Sequence, residues 1–291
     1  MTNPRLPLLS ALFAAVALSA CGGGSDTTAT PSPSPAPSPA PAPSPSPSPS
    51  PSPAPAPTPA PAPSAGSASE CVNLVYATEG TSWKLDYQIS GAATGSSSSE
   101  SVVKPRTSFA GTNNLIEIAQ TITTNYSAPP TLAAAGTVTA TNSIFEDVDG
   151  TDFIFYGSRQ TATAGGATVT TTNVISPPVR DRQYSLGLDE SFTVTQNTTT
   201  SISGLGVPVP DQNTAITYTI TYRGQESITV PAGTFNACKF ERSDANGTST
   251  NWIAKTSGTP VRSLTADGNG VQTVLELLAS SRVNGAPVPT N

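Results

Sequence analysis

Glu226-Ser227-Ile228-Thr229-Val230-Pro231-Ala232-Gly233-Thr234-Phe235-Asn236-Ala237-Cys238-Lys239-Phe240-Glu241 is the stretch that decides the fold class of this chain. Proline presets φ for the first central residue of a turn, and alanine tolerates the second. A glycine next in line can take the left-handed conformation that closes the loop. Val230 to Thr234 therefore reads as a type I turn ended by a glycine bulge, with Pro231 and Gly233 as its structural residues. The arms Glu226–Val230 and Phe235–Glu241 should then pair antiparallel.

Working outward, apolar residues recur at period two, the mark of a strand with one buried face. Trp83, Leu85, Tyr87 and Ile89 share a face of Ser82–Ser90. Ile116, Ile118 and Ile122 do the same further on. Phe145 precedes a turn at Asp149-Gly150, after which Phe153 and Phe155 resume the alternation. Phe192 and Val194 mark another strand, and Ile216, Tyr218, Ile220 and Tyr222 one of the cleanest. Turns at Asp244–Gly247, Gly258–Pro260 and Asp267–Gly270 space out strands around Trp252, Val261 and Val271–Leu278. Leu275 to Leu278 leaves a short helix open, though its flanks read as strand. The expectation is an all-β, antiparallel meander of about a dozen strands. It closes either as a sandwich or as a curled, barrel-like sheet, a choice that periodicity leaves open.

The folded part is expected at residues 67–283 as a single domain, with a flexible tail at 284–291. Before it, every odd position from Pro31 to Pro63 is proline. Proline fixes φ and removes a donor, so residues 21–66 should form a disordered, proline-rich tether with polyproline II character. At about 3.1 Å per residue it would reach roughly 100 Å. Residues 1–20 read as a targeting segment: Arg5 is followed by the short apolar run Leu6 to Ala20. That run is shorter than the roughly 20 residues needed to span a bilayer.

Leu18-Ser19-Ala20-Cys21 resembles the lipobox of bacterial lipoproteins. The resemblance implies cleavage before Cys21 and acylation of its thiol and freed amine, hence a partnership with a membrane through lipid. Gly22, where an aspartate would imply retention in the inner membrane, makes the implied address the outer membrane. The stretch Tyr222 to Val283 resembles a family of secreted bacterial β-proteins. The resemblance rests on Gly224, Val230 to Phe235, Cys238, Trp252, Pro260-Val261 and Leu275 to Leu278. It departs from the family at Ile253 and Lys255-Thr256-Ser257. It implies a β fold and no particular activity.

Net charge is −6. With no cluster of basic residues in the sequence, this argues against nucleic acid as a partner. The chain contains no histidine, which excludes Ser-His-Asp triads, Cys–His nucleophiles and Cys/His zinc sites. With Cys21 committed to lipid, Cys71 and Cys238 remain. In an oxidising compartment an even pair is expected to bridge. Ser101-Val-Val-Lys104, Ser243-Asp244-Ala245 and Lys255-Thr256-Ser257 loosely echo penicillin-binding motifs. The first cannot open a helix with Pro105 following at once, and the other two lie too close together. Asp147, Asp149 and Asp152 form half of a calcium loop, but the twelfth position is Ser158, and a hairpin turn suits the same residues. Asp189-Glu190 suggests a glycosidase pair only by adjacency. Trp83 and Trp252 sit in alternating strands and read as core rather than as sugar platforms.

Neither cofactor nor catalytic residue is implied. The expected function is a non-catalytic, membrane-anchored β-domain that binds an apolar ligand or an envelope component, or gives structural support. The alternative is a carboxylate-based hydrolase acting on polysaccharide.

Overall fold

Threonine and valine recur along much of this chain, and β-branched residues favour extended backbone. The computed structural model describes residues 66–128, 136–164 and 167–290. Cys21, the targeting segment and the proline-rich stretch lie outside the described residues.

The chain runs through β1 (Ser82–Gly91), β2 (Thr94–Phe109), β3 (Thr112–Ala128), β4 (Gly136–Asp149), β5 (Asp152–Ala164), β6 (Ala167–Asp181) and β7 (Ser191–Ser203). It continues through β8 (Gln212–Val230), β9 (Gly233–Asp244), β10 (Gly247–Ala254), β11 (Pro260–Asp267), β12 (Gln272–Leu277), β13 (Arg282–Val283) and β14 (Ala286–Pro287). From β1 to β12 each strand pairs antiparallel with the next. β12 returns to β1 with Tyr87 opposite Leu277 and Ile89 opposite Leu275. The meander thus closes as a 12-stranded barrel with extra strands. That settles the choice between sandwich and barrel. Leu275 to Leu277 are strand, not helix.

The arms of the deciding hairpin pair antiparallel as expected, but across a two-residue turn rather than a three-residue loop closed by a glycine bulge. Val230 pairs with Gly233, Pro231 and Ala232 make the turn, and Gly233 has a φ of 134°. The tip then reaches the end of β12, where the Ala232 N–H donates to Leu277 O at 2.9 Å.

One face of each strand looks inward, and register shows which. Across one layer Trp83 lies opposite Ser101, Ser101 opposite Gln120, and Gln120 opposite Asn142. The interior is packed rather than hollow. One apolar cluster gathers Ile118, Ile144, Phe155, Tyr222 and Phe240, and a second gathers Leu85, Tyr87, Phe235, Leu275 and Leu277.

The segment before β1 plugs the end of the barrel where it enters. Two 3-10 turns, Ala68–Cys71 and Leu74–Ala77, bring Ala68 and Cys71 to full burial. The Cys71–Cys238 disulfide ties this plug to β9, closing a loop of 167 residues. Gln225 Nε2 donates to Ser67 O at 3.1 Å and to Glu70 Oε2 at 2.7 Å, and Lys255 Nζ meets Glu70 Oε2 at 2.6 Å.

The end of the chain differs from the flexible tail expected at 284–291. β13 pairs with β1 and β14 pairs with β13, while Val288 is buried in the second cluster. Asn284 exchanges two bonds with Ser82: its N–H donates to Ser82 O, and its Oδ1 accepts from Ser82 N. Two bonds from Asn284, the pairing of β14 with β13 and one apolar anchor, Val288, hold this stretch on the barrel.

Candidate functional site

Two places on the barrel could hold something, one inside and one outside. Inside, behind the plug, lies a cavity of about 120 Å³. Apolar walls from Ile118, Ile144 and Phe153 meet a polar group made by Gln120, Glu146 and Asn251. All three polar residues are at most 5% exposed. Gln120 Nε2 donates to Ser99 Oγ and Ser101 Oγ, while Gln120 Oε1 and Asn251 Oδ1 have no protein partner. Buried amide oxygens want donors, and this volume accommodates several water molecules at roughly 10–15 Å³ of such space each. It falls short of the ~300–1,000 Å³ typical of ligand pockets. Tyr76 roofs the cavity, set edge-on to Trp83 at 4.9 Å. Burial pushes its phenol up to about 12, opposed by the bond with Thr259.

Further along the interior, the Arg242 guanidinium stacks 3.9 Å from the Tyr218 ring centroid and lies 3.6 Å from Asp244. Burial lowers the Arg242 pKa; Tyr218, Asp244 and Asp181 oppose that shift. Glu146 and Asp181, at 3% and 2% exposure, are carboxylates in the interior, a placement that sequence reasoning missed. The signal for Glu146 was present, since it shares parity with Ile144 and Val148 in an inward-facing run.

Outside, a groove of about 730 Å³ runs over the outer face of β1 to β5. Register builds it in rows. Lys84 lies opposite Glu100, which lies opposite Thr121, then Thr141, then Thr161. The adjacent row is Ser82, Val102, Ala119, Ser143 and Arg159. Small and hydroxyl-bearing side chains thus make the floor, and Lys84, Lys104, Arg159 and Arg282 stand along it. Glu100 is the carboxylate in the lining, and it is taken by Lys84 at 2.9 Å. Glu117 borders the groove opposite Lys104 and accepts from Ser143 Oγ at 2.7 Å. Among the described residues, the cations without an ion pair are Lys104, Arg159, Arg182 and Arg282. All of these except Arg182 line the one groove. Sequence reading missed it because its four cations lie on four strands, scattered between positions 84 and 282.

Of the residues singled out from the sequence, Trp83, Ser101 and Lys104 line the groove, and the others fall elsewhere. Asp147, Asp149 and Asp152 surround the β4–β5 turn, where Arg106 meets Asp147 at 3.1 Å and Arg180 clamps Asp149 and Asp152 at 2.7 and 3.0 Å. Two arginines thus already neutralise these carboxylates, and among the described residues no cluster of metal-ligating side chains forms. Asp189 pairs with Arg223, and Glu190 accepts from the Gly187 N–H, both on an exposed loop. Ser101 and Lys104 point to opposite faces of β2, so no Ser–Lys couple exists there. Trp252 is 7% exposed, donates to Glu226, and lies between Lys239 and Arg262 at 5.6 and 5.2 Å from its ring centroid. Trp83 is half-buried and borders both cavity and groove.

No family model matches the chain, and no curated protein does. The likeness of Tyr222–Val283 to secreted β-proteins therefore rests on the motif residues named above alone. Among solved structures, a Bacteroides fragilis protein described as exported, with a YmcC-like fold, is similar over 70% of this chain and 96% of its own. Identity is 11% and the TM-score 0.34, too low for either fold or function to be transferred.

Proposed function

We propose that this chain is an extracytoplasmic lipoprotein whose barrel is a non-catalytic binding module for a component of the cell envelope. The observation that carries the reading is the outer groove. On a chain of net charge −6, three cations without ion pairs share one concave face with a floor of hydroxyl groups. The packed, plugged interior favours this over the carriage of an apolar ligand, since a cavity of about 120 Å³ is too small for an acyl chain. The carboxylates favour it over hydrolysis. A glycosidase pair must flank a sugar chain from an open cleft, whereas Glu146 and Asp181 are buried in the interior. The lipobox-like Leu18-Ser19-Ala20-Cys21 and the proline-rich tether supply the anchor and the reach.

The test is cosedimentation of the detergent-solubilised chain with purified envelope polymer, alongside an assay for released reducing ends. Saturable binding without release is expected. Release of sugar would establish the hydrolase instead, and absence of binding would remove the module reading. In the same cells, Cys21→Ser should move the protein from the membrane to the soluble fraction.

A further inference from the structure

We infer that the groove over β1 to β5 is a binding site for an acidic polysaccharide, a glycan bearing carboxylate or sulfate groups. This rests on the binding-module reading and names its ligand class.

Charge decides the sign of the ligand. Lys104 and Arg159 are exposed, neither has a carboxylate within ion-pair distance, and both line the groove that Arg282 enters from β13, opposite Lys84. Arg282 is half-buried and oriented by Nη1 bonds to Ala279 O at 2.7 Å and Ser281 O at 2.8 Å. A positioned guanidinium keeps its remaining N–H groups for an incoming oxyanion, and its planar fork matches carboxylate and sulfate. The lining carries four cations against one carboxylate, Glu100, with Glu117 at its border, so the groove's local charge is positive on a chain with a carboxylate excess and favours an anionic ligand.

The floor decides the polymer. Thr121, Thr141, Ser143 and Thr161 place hydroxyls in register on three neighbouring strands; Thr141 and Ser143 donate within the protein, to Thr161 O and Glu117, which leaves their oxygens to accept. Hydroxyls both donate and accept, as sugar hydroxyls require. Nucleic acid would want more cations and exposed rings for stacking, and the lining's one aromatic, Trp83, is half-buried. A bilayer surface would want protruding apolar side chains beside the cations; here the apolar side chains of the outer rows are Val102 and Ala119, both half-buried. At about 730 Å³ the groove is large enough for a short run of sugar units.

The experiment uses the full chain in mild detergent, with dextran, carboxymethyl-dextran and dextran sulfate as probes and binding read by interferometry at two salt concentrations. The charged dextrans should bind, with affinity falling as salt rises, and neutral dextran should bind at least about tenfold more weakly. Lys104→Glu with Arg159→Glu should reduce binding of the charged probes by about tenfold or more. Arg182→Glu, which removes a cation outside the groove, should leave it unchanged. Both replaced side chains are exposed, and a retained thermal midpoint would show that the variants fold. Equal binding by the Lys104/Arg159 variant would overturn the assignment. So would stronger, groove-dependent binding to vesicles of anionic phospholipid, which would make the partner a lipid headgroup. If envelope polymer still cosediments with that variant as it does with the parent, the module reading stands and only this inference fails.

Discussion

Gly157 shows how a single residue bends this barrel. β5 slips register against β4 and against β6 at the same place, between Phe155 and Gly157, and Gly157 takes a φ of 150°. A Cβ there would lie 2.0 Å from Asn173 O and 2.7 Å from Phe109 Cε1. Both bumps are severe, and the first is against backbone of the neighbouring strand. Gly157→Ala should therefore cost at least about 2 kcal/mol, seen as a lower urea midpoint at unchanged slope. Gly80, with φ 83° and nothing within 4 Å of its would-be Cβ, is the contrast. There alanine should cost about 1 kcal/mol, the strain of the left-handed conformation alone. Equal losses at the two sites would show that close approach is not what fixes Gly157. Of these positions only Gly233 was legible beforehand, because Pro231 two residues earlier declares the turn. Nothing near Gly157 in sequence announces a bulge, since its cause is a carbonyl on another strand.

At the scale of elements, the strands that could be read were those with an apolar face. β1 and β8 alternate large apolar residues with polar ones, and the pairing of β8 with β9 followed from the turn between them. β2 hid behind its serines. Ser97, Ser99 and Ser101 are at most 5% exposed and face inward, so this strand buries hydroxyls where others bury methyl groups. Their partners, Thr124 for Ser97 and Gln120 for Ser99 and Ser101, come from β3. A buried polar stripe becomes visible only when the strand that satisfies it is known.

The plug was legible only through its cysteine. Its docking combines the Cys71–Cys238 bond with Glu70, whose pKa is lowered by the hydrogen bonds from Lys255 and then Gln225. A carboxylate held below its unfolded value stabilises the fold above about pH 4.3, and that contribution is lost as pH falls through the folded value. With the disulfide reduced, the plug should therefore loosen on acidification, read as faster proteolysis after residues 66–81. Glu70→Gln should flatten that pH dependence. Reduction itself should lower stability by about 2–5 kcal/mol, the usual worth of closing so long a loop. A plug equally protected at pH 3 and pH 7 after reduction would mean that Glu70 contributes nothing to docking.

For the whole molecule, closure is the property that local pattern could not supply. A strand in a sandwich and a strand in a barrel carry the same alternation, and the difference lies in whether the first strand meets the last. Here that meeting is Tyr87 to Gly91 against Thr273 to Leu277, residues nearly the whole domain apart in sequence. β13 then occupies the part of β1 that β12 does not reach, opposite Trp83 and Lys84. β1 is therefore paired along both sides. The edge that remains, β14, is two residues long and contains Pro287, which has no N–H to offer another chain.

Removing residues 272–290 would undo both arrangements at once, leaving β1 and β11 as long edges with unpaired N–H and C=O groups. Exposed edges of that kind template pairing between chains. The full chain should run as a monomer in light scattering, and the truncated chain should self-associate. Addition of a synthetic peptide spanning 272–290 should reverse the association, because it restores the missing strand by β-augmentation. A truncated chain that stays monomeric and keeps its thermal midpoint would show that the β1–β12 seam does not hold the barrel shut.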